Sequence, residues 1–142
     1  MFNVIVVGAD DSPTARRAIE AATELTMMSA GTLHVVSAYG GKPQRLPAGT
    51  PAEFRHLDTD NEVKALLQDL SFIAKAKGVE PVLHSVMGDP TEAIIATANK
   101  VSADLIVVGN RGMRGVRRVL GSVPNSVAHG ASCSVAIIDT TE

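Results

Sequence analysis

The chain carries five short, uninterrupted apolar runs, separated by longer stretches whose apolar side chains recur at helical spacing. The first run, Val4-Ile5-Val6-Val7, belongs to a strand expected at 3–8, which gives way at Gly8 to the acids Asp10 and Asp11. A run that is apolar at every position, rather than at every second one, predicts a strand covered on both faces, as in a parallel sheet. Ser12 then offers an N-cap and Pro13 a first helical residue. Ala15, Ala18, Ile19, Ala22 and Leu25 follow on one helical face, and Gly31 supplies the stop. Asp11 is expected to support that helix start, and Met27 and Met28 to act as packing residues.

A second strand is predicted over 32–38. Residues 40–52, GGKPQRLPAGTPA, are dense in Gly and Pro and lack any period, so they read as a loop long enough to serve as a lid. Val63, Leu66, Leu67, Leu70, Ile73 and Ala74 mark a second helix, closed by Gly78. A third strand is expected at 80–86, with Pro81 placing it at the sheet edge or delaying its start by one residue. Asp89 as N-cap, Pro90 at the first position and Glu92 three residues after the cap form a capping box for a third helix, whose Ile94, Ile95, Ala98 and Val101 can cover a sheet. Leu105-Ile106-Val107-Val108 is a fourth strand and Val135-Ala136-Ile137-Ile138 a fifth, with a short helix at 124–129 between them. This alternation predicts one α/β domain, an open parallel sheet with helices on both faces.

Composition narrows the setting. Hydrophobic residues make up 45% of the 142, yet Trp is absent, Tyr occurs once and Phe three times, so the core is aliphatic. The length suits one domain. A formal net charge of −2 gives no global basic field to attract nucleic acid or an anionic membrane, and neither is expected as a partner. The distribution is uneven: residues 1–108 hold nine basic and thirteen acidic side chains, whereas 109–142 hold four Arg, all within 111–118, and two acids. The single Cys133 can form no intrachain disulfide and reads as an inert, half-buried thiol. The opening residues lack signal-peptide character, and no apolar run approaches the roughly 20 residues that span a bilayer, so a cytoplasmic protein is expected.

In open parallel sheets, ligands bind beyond the carboxyl ends of the strands. The first strand delivers Gly8-Ala9-Asp10-Asp11-Ser12 there, and the fourth delivers Gly109-Asn110-Arg111-Gly112, followed by Gly115, Gly121 and Ser122. Close-turning glycines, hydroxyls at Ser122 and Ser126 and the start of the last helix have the chemistry of an anion site. Spacing alone equally admits a surface loop with solvated arginines, since the Lys-Ser/Thr ending of the nucleoside-triphosphatase loop is missing. Asp10 fits either a turn cap or an acceptor for adenine, ribose or a phosphate-bound Mg2+. Arg111 fits a phosphate contact or a solvated charge, and Arg114, Arg117 and Arg118 fit surface groups. His34, His56, His84 and His129 have no short metal-binding spacing, and no metal site is expected. Ser122 lacks the context of a hydrolase nucleophile, so no catalytic residue is assigned.

The segments VIVVGADDSPTARRAI, LHVVSAY, GDPTEAII and LIVVGNRGMRGVRRVLGSVPNSVAHGASCSVAII together resemble the universal stress protein family over nearly the whole chain, 1–142. The resemblance implies a Rossmann-like sheet of five parallel strands in the order 3-2-1-4-5. It also implies a nucleotide-binding regulatory role in the stress response, with ATP as ligand, with or without Mg2+, and a homodimer formed through the last strand. Gly8 and Ala9 would border the adenine, with contacts from Asp10 and the Val35 backbone. Gly109, Arg111, Gly112, Gly121, Ser122 and Val123 would line the ribose and phosphates. The chain departs from the family pattern at one point: eight residues, not nine, separate Gly112 from Gly121. Cyclic AMP, an empty-site interaction dimer and a slow ATPase are the alternatives that the resemblance leaves open.

Overall fold

The computed structural model describes residues 1–12, 14–40, 59–110 and 123–140. Its elements are β1 (Val4–Gly8), α1 (Ala15–Ser29), β2 (Thr32–Gly40), α2 (Asp60–Lys75), β3 (Val82–Gly88), α3 (Pro90–Val101), β4 (Leu105–Gly109), α4 (Val123–Gly130) and β5 (Ser134–Ile138). The five strands form one parallel sheet in the order β3-β2-β1-β4-β5. The architecture is the expected Rossmann-like one. From residue 41 onward, the expected lid lies outside the described residues.

The continuous apolar runs follow from a sheet with a helical layer on each face. On one face Ile5, Val7, Leu33, Val35, Leu105 and Val107 meet Ala18, Ile19 and Ala22 of α1 and Val63, Leu67, Leu70 and Ala74 of α2. On the other, Val6, Val36, Ala38, Ile106 and Val108 meet Ala93, Ile94 and Ala98 of α3 and Val127 of α4. Alternate residues of one strand thus feed two separate cores, so neither face can be polar. The central strands β1 and β4 are buried almost throughout, whereas β3 and β5 are edges that expose Val82, Met87 and Ile137. Pro81 precedes β3, where its missing N–H interrupts no ladder.

Capping shows where local sequence decides and where it does not. Asp89 accepts from the Glu92 amide at 3.1 Å, with Pro90 in the first turn, as the sequence predicts. At α2 the cap is Thr59, which accepts from the Glu62 amide at 3.1 Å and whose hydroxyl donates to the Glu62 carboxylate at 2.9 Å. Asp60 then accepts from the Ser85 hydroxyl and pairs with Lys64, contacts that hold its carboxyl below the usual range and tie the start of α2 to the edge strand. At α1 the expectation of a Ser12 cap is corrected. The N-cap is Thr14, without a side-chain bond to the helix, and the first turn holds no acid; Asp11 lies three residues before the cap. Ser12 instead contributes its carbonyl to the Ala15 amide and its hydroxyl to a contact with Thr14 Oγ1.

The end of α1 is also corrected. The left-handed residue is Ala30, at φ 54, and Gly31 lies beyond it. Gly31 answers to crowding: a Cβ there would stand 2.4 Å from the Asn3 carbonyl oxygen, which accepts from the Thr32 amide at 2.8 Å. Met27 and Met28 are 51% and 85% exposed rather than packed, because the buried face of α1 runs through Ala18, Ile19 and Ala22. Below the sheet, Asp104 closes the entrance to β1, accepting from the amides of Asn3 at 2.9 Å and Val4 at 3.2 Å.

Candidate functional site

The sheet opens at one place. The ladder between β1 and β4 runs from Ile5 beside Leu105 to Val7 beside Val107 and stops there. The outer ladders go further. Gly8 pairs with Val36 and the Ala9 amide donates to the Val36 carbonyl at 2.9 Å, while Gly109 pairs with Ile138 and the Asn110 amide donates to the Ile138 carbonyl at 2.8 Å. Each central strand therefore turns toward its outer neighbour, leaving a crevice between Gly8-Ala9-Asp10 and Val108-Gly109-Asn110. This is the switch point of the fold: α1 and α2 lie on one face, α3 and α4 on the other, and the two windings depart from β1 and β4.

The structure brings several of the expected residues to this crevice. Gly8 and Ala9 are half-buried and Asp10 is exposed at the exit of β1. Gly109 ends β4 and Val123 opens α4. Val35 lies inside β2, between Val7 and Leu83, with its side chain in the core, so its backbone is the only part left for a ligand. Arg111, Gly112, Gly121 and Ser122 lie outside the described residues, as do Gly115, Arg114, Arg117 and Arg118. Ser126 is exposed in α4.

Two of the glycines have a structural explanation that spacing did not show. A Cβ on Gly8 would stand 2.5 Å from Ile94 Cδ1, so the residue lets α3 close against the rim of the sheet. A Cβ on Gly109 would stand 2.8 Å from Thr140 Cγ2. That contact belongs to a seam absent from the sequence reading. Asn110 Oδ1 accepts from the Thr140 amide at 2.9 Å and from its hydroxyl at 3.2 Å, and Asn110 Nδ2 donates to Asp139 at 3.1 Å. Thr140 is buried, so the seam fixes the direction in which the chain leaves β4. The partners are 30 residues apart, and only the β4–β5 register unites them.

Other polar groups lie away from the crevice. His34 and His84, unrelated by any sequence spacing, meet across β2 and β3 with Nδ1 and Nε2 2.9 Å apart. Burial lowers both pKa values, and for His84 the nearby His34 and Lys100 act in the same direction. His129 is exposed in the last turn of α4, and His56 is outside the described residues. The Cys133 thiol is pushed up by burial and by the Asp104 carboxylate, which disfavours the reactive thiolate. A cleft of about 480 Å³ lies at the opposite, amino-terminal end of the sheet, where Thr32 and Gly78 contribute to its wall and Lys77 pairs with Glu24. It lacks the diverging strand ends found at the switch point. No helix among the described residues is long and apolar enough to cross a membrane.

Known proteins resemble this chain in sequence and in fold. The chain is 32% identical over 152 residues to universal stress protein Rv1636 of Mycobacterium tuberculosis, covering 99% of this chain and 98% of that one. It is 30% identical over 144 residues to universal stress protein A homolog 1 of Coxiella burnetii, covering 96% of each. Among solved structures, a universal stress protein in complex with cAMP superposes with a TM-score of 0.79 at 31% identity, over 99% of this chain and 98% of its own. The model of the universal stress protein family matches residues 1–139, the whole span over which the two halves of the sheet are built, and the chain belongs to that family.

Proposed function

We propose that the protein is a nucleotide-binding regulator of the stress response that takes an adenine nucleotide, ATP in the first reading, into the crevice between β1 and β4. The observation that carries this is the end of the central ladder at Val7 and Val107 while both outer ladders continue. The opening leaves strand-end backbone on both sides, with one wall of small residues, Gly8 and Ala9, against which a flat base can lie. Adenine would rest there, near Asp10 and the Val35 backbone. Gly109, Arg111, Gly112, Gly121, Ser122 and Val123 would face the ribose and phosphates, where free amides at the start of α4 favour negative charge. The ligand class draws support from the relative at 31% identity that was crystallised with cAMP.

Cyclic AMP is the second reading, favoured by that same complex and by the eight-residue interval from Gly112 to Gly121, which suits a smaller phosphate group. In either case binding is the proposed action, with occupancy stabilising the glycine loop and altering a partner surface. A second copy would pair along β5, an edge strand that leaves Ile137 40% exposed. Calorimetry with ATP, AMP and cyclic AMP, each with and without Mg2+, tests the reading. Binding of one of them with a submillimolar Kd, lost in Gly112→Val and Gly121→Val variants that remain folded, is expected. Absence of binding by all three to the folded protein overturns the proposal. Accumulation of ADP during the ATP titration would replace binding by slow hydrolysis.

A further inference from the structure

His34 and His84 occupy a place apart from the crevice. They lie on β2 and on the edge strand β3, whereas the crevice opens between β1 and β4. In the parallel register His34 stands beside Val82 and His84 beside Val36, so the two rings meet diagonally across one strand pair. Both lie at two-residue spacing from Val36, Ala38 and Val86 along their strands, which places them on the α3 face of the sheet, where Lys100 acts on His84. Each ring is half-buried, and their centroids are 5.1 Å apart with planes tilted by 35°. One N–H fills the gap between two ring nitrogens 2.9 Å apart.

That separation matches a metal bite. Two imidazole bonds of about 2.0–2.1 Å meeting at a right angle put their nitrogens about 2.8–3.0 Å apart, whereas a tetrahedral angle puts them about 3.3–3.4 Å apart. We propose that His34 and His84 form a two-imidazole site for a divalent transition metal with right-angle coordination, of the Cu2+ or Ni2+ class, with water completing the coordination shell. Both rings bind as neutral imidazoles. The ring that now donates shifts its proton to its far nitrogen and frees the near one, so no proton need be released. Turning the lone pair of each ring by about 45° from the line joining the nitrogens, the base angle of a right-angled triangle with the metal at its apex, aims both at one point instead of at each other. Burial already favours the neutral, ligating forms. Bound metal would join the edge strand to β2, and Lys100 would oppose it as a like charge.

The test uses CuCl2, NiCl2 and ZnCl2 with the full chain. Trace Cu2+ should broaden the imidazole NMR signals of His34 and His84 and spare those of His56 and His129. NiCl2 at about 100 times its Kd should raise Tm by roughly 8 °C or more. His34→Gln and His84→Gln should each abolish both effects, the His56→Gln/His129→Gln double variant should retain them, and Lys100→Gln should strengthen binding. Gln can still hydrogen-bond across the gap, so folding of the single variants can be checked by their unchanged spectra elsewhere. Affinity should rank Cu2+ first, with Ni2+ at least equal to Zn2+. Broadening centred on His56 or His129, tightest binding of Zn2+, or no effect at submillimolar metal would each overturn the assignment.

Discussion

Gly109 separates two explanations of a glycine at a binding loop. In the first, the residue lets the backbone approach a ligand, and adding a methyl group leaves the unliganded protein intact. In the second, it makes room for Thr140, and the methyl group is costly before any ligand arrives. Gly109→Ala would gain about 0.4–1 kcal/mol from a less flexible unfolded chain, because the position shows no left-handed backbone that alanine would resist. Against this, the new Cβ would stand 2.8 Å from Thr140 Cγ2. Thr140 cannot yield cheaply: it is buried, and rotating it breaks the hydroxyl bond to Asn110 Oδ1. Overpacking of this kind costs about 1–3 kcal/mol, so the variant should be net destabilised by about 1–2 kcal/mol. Thr140→Ser removes the offending methyl and keeps the hydroxyl, at a cost of about 0.5–1.5 kcal/mol, by analogy with the loss of a single buried methyl group. In that background the nearest atoms fall to ordinary distances, Oγ1 at 3.4 Å and Cβ at 3.7 Å, and Gly109→Ala should become neutral or stabilising. Equilibrium urea unfolding of the four proteins measures the cycle, with coupling read from the midpoints at constant slope. A neutral Gly109→Ala in the native background, or strictly additive effects, would refute the steric argument.

Two further outcomes follow from polar groups at the other end of the sheet. Asp104→Ala removes the acceptor for the Asn3 and Val4 amides, one exposed and one partly buried, and should cost about 1.5–3 kcal/mol in urea unfolding; Asp104→Asn should recover part of this, and full recovery by the neutral side chain would argue against the charge-assisted contact. Cys133, whose thiol is raised first by burial and then by Asp104, should be alkylated by iodoacetamide more slowly than a free cysteine at pH 8, with a rate still climbing beyond pH 9 and a faster reaction in Asp104→Asn; a plateau below pH 9 would contradict the direction of the shift.

What the sequence conveyed was local grammar and the identity of buried faces. Asp89 caps α3 through the Glu92 amide because the interacting groups lie within one turn, and Pro81 delays the start of β3 to Val82 because it has no N–H to give a ladder. The same reasoning failed at Ser12, where the residues beside Pro13 place Thr14 at the cap, and at Gly31, whose need for glycine comes from Asn3, 28 residues earlier. The His34–His84 pair and the Asn110–Thr140 seam were illegible for one reason: each joins residues 50 or 30 apart through a parallel register that spacing along the chain does not encode.

Gly8 and Gly109 stood out as loop glycines beside a ligand, and the described structure assigns both a prior duty, admitting Ile94 on one rim of the crevice and Thr140 on the other. The two roles are compatible because a Cβ projects toward a face of the sheet, whereas the gap lies between the strands β1 and β4. With Ile94 packed on Gly8 and Thr140 on Gly109, both strand ends are held in place beside the gap where the β1–β4 ladder has ended. Ligand binding then need not be charged with the cost of ordering these two rims, which lowers the entropy that a nucleotide must offset on entering. A substitution at Gly109 should accordingly weaken nucleotide binding through displacement of the rim, and Thr140→Ser, which touches no expected ligand group, should restore binding together with stability. Recovery of stability without recovery of binding would show instead that the added methyl group meets the ligand itself.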